Sequence, residues 1–234
     1  MEGMLELIKK IAFRQGLGNI LAEGVRRASK TIGKGSEGFA MHAKGLELPG
    51  YDVRGLKGTA LSFAVSNRGG CHLRSSAYSP EYRGKGFWKS VYEMDIDRFS
   101  IKGKGLMVKE MEDLDTLYDI LGVCKFASRS FLVNGLAAFL GAVCGIEMTE
   151  EDMLRVAQSV NNIERAFNIE HGADRTCDTL PRRILSEPIS LGPSAGSYVK
   201  SDELQTMLKE YYQARGWSRE GIPPEKMSTQ QANM

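Results

Sequence analysis

The chain has 234 residues, 42% of them hydrophobic and 26% charged, so it can bury a substantial core as one large domain or two small ones. Its formal net charge of +2, with Lys and Arg spread among the acids, leaves no electrostatic footprint for nucleic acid, and no apolar run approaches the ~20 residues of a membrane span. Its four cysteines include no Cys-x-x-Cys pair, which argues against a zinc ribbon or a disulfide framework; with no signal-like N-terminal segment, a cytoplasmic chain is expected.

Apolar pairs at helical spacing from Met4 to Ala12 predict a first helix. Gly16-Leu17-Gly18 breaks it, and a second helix is expected from Asn19, as N-cap, to about Ile32. Gly16, Gly18 and Gly24 imitate a nucleotide-binding fingerprint, but a helix rather than a strand precedes them, and the phosphate loop needs a strand. Residues 33 to 105 are rich in Gly, Pro and aromatic residues, with a short helix from Thr59 to Val65, and form a loop layer in which a site can gather.

A broad apolar face (Met107, Val108, Met111, Leu114, Leu117, Tyr118, Leu121) predicts a helix from Leu106 to Leu121. The strongly apolar stretch from Phe131 to Val143 predicts a central core helix, with Cys144 buried at its end. Thr149 with Asp152 reads as a capping box opening a helix from Glu150 to about Glu170, and a last helix runs from Asp202 to Arg215. Period-two alternation is scarce, so the expected fold is mainly α: irregularly packed helices around Phe131 to Val143 with a Gly/Pro-rich loop layer on one side. The uncharged run Met227 to Met234 is expected to be a flexible tail.

Chemistry concentrates at Asp119-Ile120-Leu121-Gly122-Val123-Cys124-Lys125. A carboxylate there can accept two parallel N–H bonds from a planar heterocycle, a glycine admits close backbone approach, and a thiol is a soft donor for iron. The same spacing also suits a helix-ending turn with a buried thiol, so the heptapeptide does not decide between the two.

The neighbourhood does. Phe39 to Asp52 (Phe-Ala-Met-His-Ala-Lys-Gly-Leu-Glu-Leu-Pro-Gly-Tyr-Asp), Gly58-Thr59-Ala60, Ser66-Asn67-Arg68-Gly69-Gly70-Cys71-His72-Leu73-Arg74, Asn161 to Asn168, Asp178 to Arg183 and Tyr211 to Trp217 occur in an order that resembles the C-terminal part of the tungsten-pterin aldehyde:ferredoxin oxidoreductases. The resemblance covers nearly the whole chain. It implies that residues 1–51 end the family's second helical domain, that 52–226 form its third, and that the chain lacks the family's N-terminal β-rich domain, first pterin motif and three further cluster cysteines.

By the same resemblance Asp119 binds a pterin edge, with Gly122, Val123 (Leu in many relatives) and Lys125 beside it, and Cys124 is the fourth thiolate of a [4Fe–4S] cluster. The resemblance also implies that His72 lines the metal pocket, as the expected catalytic proton donor. Arg68 and Arg74 are candidates for pterin phosphates, as is Lys125; His42 is read as structural and His171 as a carbonyl cap. Asp52-Val53-Arg54-Gly55-Leu56 repeats the pterin pattern superficially, at a position where the family has a loop.

The implied function is aldehyde oxidation to a carboxylic acid with electrons passed to ferredoxin. A tungsten or molybdenum bis-pterin and a [4Fe–4S] cluster are expected only in the complete assembly. The implied partners are the N-terminal portion, ferredoxin, the aldehyde and a second copy of the chain. The rival is a helical remnant serving as an interaction module without redox cofactor; a hydrolase pairing Cys124 with His72 lacks any accompanying oxyanion-hole motif.

Overall fold

The computed structural model describes residues 2–86, 95–128 and 131–224; the expected tail from Met227 to Met234 lies outside the described residues. In chain order the helices are α1 (Glu2–Ala12), α2 (Leu17–Leu21), α3 (Val25–Ile32), α4 (Lys57–Val65), α5 (Tyr78–Arg83), α6 (Lys104–Ile120), α7 (Lys125–Ser128), α8 (Val133–Cys144), α9 (Glu150–Glu170), α10 (Arg182–Ser186) and α11 (Ser201–Arg215). A small antiparallel hairpin, β1 (His42–Ala43) and β2 (Leu46–Glu47), pairs His42 with Glu47 and Ala43 with Leu46. The fold is mainly α, as the periodicity predicts.

The centre lies on α4 and α6. All nine residues of α4 are buried. Helix α6 runs through two apolar clusters, lending Met107 and Val108 to one shared with α4 and α11, and Met111, Leu114, Leu117 and Tyr118 to one shared with α8 and α9. The expectation that Phe131 to Val143 is the central helix is not met. Only Val133 and Leu136 of α8 are buried, while Phe139 is 54% and Val143 76% exposed and Cys144 is on the surface. An apolar sequence reports that a face avoids water, not which polypeptide covers it.

A helix buried on nearly every side needs partners for its charged residues. On α6, Glu112 and Asp113 both pair with Arg215 of α11, which is fully buried, and Asp113 also accepts from Asn161 Nδ2 of α9 at 3.2 Å. At the other end of the core Glu81 of α5 accepts from Gly58 N (2.7 Å) and Thr59 N (2.9 Å) at the start of α4 and pairs with buried Lys104 at 2.7 Å.

Two local expectations change and one holds. Asn19 lies inside α2, whose N-cap is Gly16, and Gly24 (φ 82°), as the N-cap of α3, splits the expected Asn19–Ile32 helix. Thr149 and Asp152 do form a reciprocal capping box on α9. The decoy Asp52 caps a single 3-10 turn, accepting from Arg54 N at 3.1 Å and pairing with the Arg54 side chain at 2.7 Å. No helix of the described residues is long and apolar enough to cross a membrane.

Candidate cofactor and substrate site

The heptapeptide is the end of α6. Val123 N donates to Tyr118 O at 2.8 Å and Gly122 N to Asp119 O at 3.3 Å, with Gly122 at φ 68°: this is a Schellman turn, and glycine is the residue that adopts its left-handed C′ position without strain. The Val123 side chain packs inward on the cluster around Tyr118, as that turn's hydrophobic contact does. Gly122 and Cys124 stay exposed, and a Cβ built on Gly122 meets no atom within 4 Å. The turn explains the glycine by local geometry, and it leaves the backbone and thiol at the helix end open to approach.

Asp119 sits between two cations. Arg74 Nη1 lies 2.9 Å from Oδ2, and Lys125 Nζ lies 3.0 Å from Oδ1. Arg74 is buried and its other terminal nitrogen pairs with Glu164 of α9, so it is committed to carboxylates instead of standing ready for a phosphate. Lys125 also donates to the Asp115 carbonyl at 2.5 Å and lies 3.3 Å from Asp115 Oδ1, crossing the turn to hold α7 on α6. Asp115 accepts a further bond from Ser76 N at 2.6 Å; burial pushes its carboxyl above the ordinary 3.8, against the opposing charge of Lys125. Arg68 donates to Cys71 Sγ at 3.1 Å.

His72 opens onto a cleft of about 200 Å³ whose walls include Tyr51, Tyr78, Asp115, Tyr118 and Lys125. Its ring centre lies 5.3 Å from Tyr51 and 6.2 Å from Tyr78, and those two tyrosines stack at 5.2 Å. Desolvation pushes the His72 imidazole below the ordinary 6.5. The structure therefore brings His72 and Lys125 to one cleft and Lys125 and Asp119 into one ion pair, while Gly122, Val123 and Cys124 lie outside the cleft walls. His171 Nδ1 is 2.8 Å from Phe167 O, the carbonyl contact expected of it. His42 lies in the hairpin, where burial and the charge of Arg26 push its imidazole down.

Sequence reasoning missed Tyr51, Tyr78, Asp115 and Glu164. Asp115 carried a signal: it stands four residues before Asp119, which puts both carboxylates on one face of a helix. Tyr51 and Tyr78 are 27 positions apart with α4 between them, and no spacing rule joins them. Among the described residues no group of three or more His, Cys, Asp or Glu side chains converges as a metal site.

The sequence pattern described as "Aldehyde ferredoxin oxidoreductase, domains 2 & 3" matches residues 1–230. The chain is 38% identical over 222 residues to the tungsten-containing aldehyde ferredoxin oxidoreductase of Pyrococcus furiosus, covering 94% of this chain and 35% of the relative. It is 40% identical over 221 residues to the protein of the same description from Thermococcus kodakarensis, again covering 94% of this chain and 35% of the relative. The chain thus spans about a third of the length of these relatives. A solved structure described as the active site complex BamBC of benzoyl coenzyme A reductase, in complex with 1,5 dienoyl-CoA, superimposes with TM-score 0.70 at 20% identity, covering 94% of this chain and 37% of that one; it shares the fold.

Proposed function

Because the chain belongs to the aldehyde ferredoxin oxidoreductase family and corresponds to its domains 2 and 3, we propose that it is the C-terminal part of a tungsten-pterin, iron–sulfur oxidoreductase that converts aldehydes to carboxylic acids and hands electrons to ferredoxin. The observation that carries the proposal is the turn ending α6, where an open glycine and an exposed thiol follow a carboxylate that is 36% exposed.

The residues fit one edge of the implied cofactors. Asp119 would accept from the amino and ring N–H groups of a pterin: an ionised carboxylate offers about four lone-pair sites, so it can do this beside Arg74 and Lys125. Gly122 and the Val123 backbone would let the pterin approach, and Cys124 would ligate a [4Fe–4S] cluster. The other three cluster ligands would come from the N-terminal portion. When bound, the metal-pterin and cluster supply the two-electron chemistry and the route for electrons to leave. Tungsten is favoured over molybdenum by the descriptions of the relatives.

The polypeptide's own part is to orient and to manage protons. Burial keeps His72 neutral near pH 7, so one ring nitrogen donates while the other accepts, and the donor can serve the substrate oxygen as charge develops there. Tyr51 and Tyr78 form an aromatic wall beside that group. In this proposal the boundary between the two helical domains falls near residue 52, and the partners are the N-terminal portion, ferredoxin, the aldehyde and a second copy of the chain. The rival interaction-module reading is favoured by one observation, the exposed apolar face of α8 around Phe139 and Val143.

The proposal is tested in a chimera joining this chain to the preceding residues of the Pyrococcus furiosus relative, purified without oxygen. Tungsten and pterin bound to the chimera and reduced in its Asp119→Asn variant are the expected result. Equal tungsten and pterin in the two would reject Asp119 as a ligand.

A further inference from the structure

The loop from Asn67 to Arg74 carries His72 yet belongs to no helix or strand, so something other than backbone ladder bonds must hold it. Its two ends converge on one side chain. Asn67 Nδ2 and Arg74 Nη2 both donate to Glu164 Oε2 of α9, and Asn168 Nδ2, one turn further along α9, donates to the Asn67 carbonyl at 2.9 Å. From the same guanidinium, Nη1 reaches Asp119 at 2.9 Å. One carboxylate is thereby linked to both ends of the loop and, through a single arginine, to the end of α6.

We infer that Glu164 is the positioning residue of the site: it closes the His72 loop, fastens it to α9 and, through Arg74, sets it against Asp119. The physical case is that closing a loop costs conformational entropy, which grows with its length, and charge-assisted bonds at both ends offset that cost where a neutral side chain would not. Glu164 is separated from Arg74 by 90 residues, so the contact is tertiary and not a by-product of local geometry. Burial raises the Glu164 carboxyl, and the charge and hydrogen bond of Arg74 oppose that rise. The functional meaning of this role rests on the reading of His72 and Asp119 as site residues. The positioning itself does not.

The test uses the 234-residue chain without cofactor. The His72 ring protons lie beside Tyr51 and Tyr78, so their NMR shifts report whether the loop keeps its place, with His42 and His171 as internal references. In Glu164→Gln, which turns one acceptor into a donor facing donors, the His72 signals should move toward those of a free imidazole. Amide exchange in residues 67–74 should quicken by about tenfold or more while α6 and α9 stay protected. Glu164→Asp should recover part of both. A folded Glu164→Gln with unmoved His72 signals and unchanged loop exchange would overturn the inference. If Glu164→Gln does not fold, Asn67→Ala, which removes one tie only, should show the same loop-confined acceleration, and its absence would overturn the inference equally. A chimera that binds no tungsten would reject the cofactor reading and leave these observables untouched.

Discussion

Lys125 Nζ lies 3.0 Å from Asp119 Oδ1 and 3.3 Å from Asp115 Oδ1, so one ammonium serves two carboxylates a helical turn apart. Asp115 is the buried member, and its carboxyl is raised by burial with Lys125 the largest opposing influence. A carboxyl whose folded value exceeds 3.8 contributes stability that is fully present below that pH and is lost as pH rises through the folded value. Lys125→Met should deepen this loss. We expect it to cost on the order of 2–4 kcal/mol at neutral pH and clearly less near about pH 3.5, where Asp115 is protonated. Urea unfolding at both pH values decides; an equal cost at each would mean that Lys125 acts through packing alone.

The Glu81–Lys104 pair sits where α4, α5 and α6 meet, with both side chains buried. Glu81→Gln leaves Lys104 without its counter-charge and disturbs the bonds to Gly58 N and Thr59 N. A loss of ~3–5 kcal/mol is expected, read as a lowered urea midpoint with unchanged slope. A loss below ~1 kcal/mol would show that water reaches Lys104.

Two glycines with positive φ should respond differently to the same change. A Cβ on Gly69 (φ 98°) would lie 2.2 Å from the Ala43 carbonyl oxygen, whereas one on Gly122 (φ 68°) would meet nothing within 4 Å. Gly122→Ala should cost only the left-handed backbone penalty, about 1 kcal/mol, and Gly69→Ala at least ~2 kcal/mol more as the hairpin is displaced. Thermal unfolding of both variants checks the ordering, and the reverse order would contradict the close approach.

Much of the fold was legible where the signal lies in neighbouring residues. The apolar spacing of α6, the last helix to Arg215 and the Thr149–Asp152 box were read to within a residue or two because their signals are local. The role of α8 was not, since burial depends on what packs against it. The hairpin has two residues per strand, too few to alternate visibly. At the site, Asp119, Lys125 and His72 stood out by motif; the bond from Arg74 to Glu164 did not, because nothing in local spacing links positions so far apart.

His72 should matter to turnover rather than to cofactor retention. In the chimera, His72→Ala is expected to lower kcat by ~10²-fold at unchanged tungsten and iron, the scale of a lost general acid–base group. His42→Ala should leave turnover near the parent value. Steady-state rates across about pH 6 to 9 provide the check, and parental kcat throughout would return the loop to a structural role.

The iron content of the anaerobically purified chimera and its single-cysteine variants tests the central claim most directly, because only Cys124 follows the open turn at the end of α6. Cys124→Ser should hold clearly less iron than the parent, with weakened visible absorption, whereas Cys71→Ser, Cys144→Ser and Cys177→Ser should match it. Parental iron in Cys124→Ser, or an equal loss in all four variants, would contradict the assignment of this turn to a cluster.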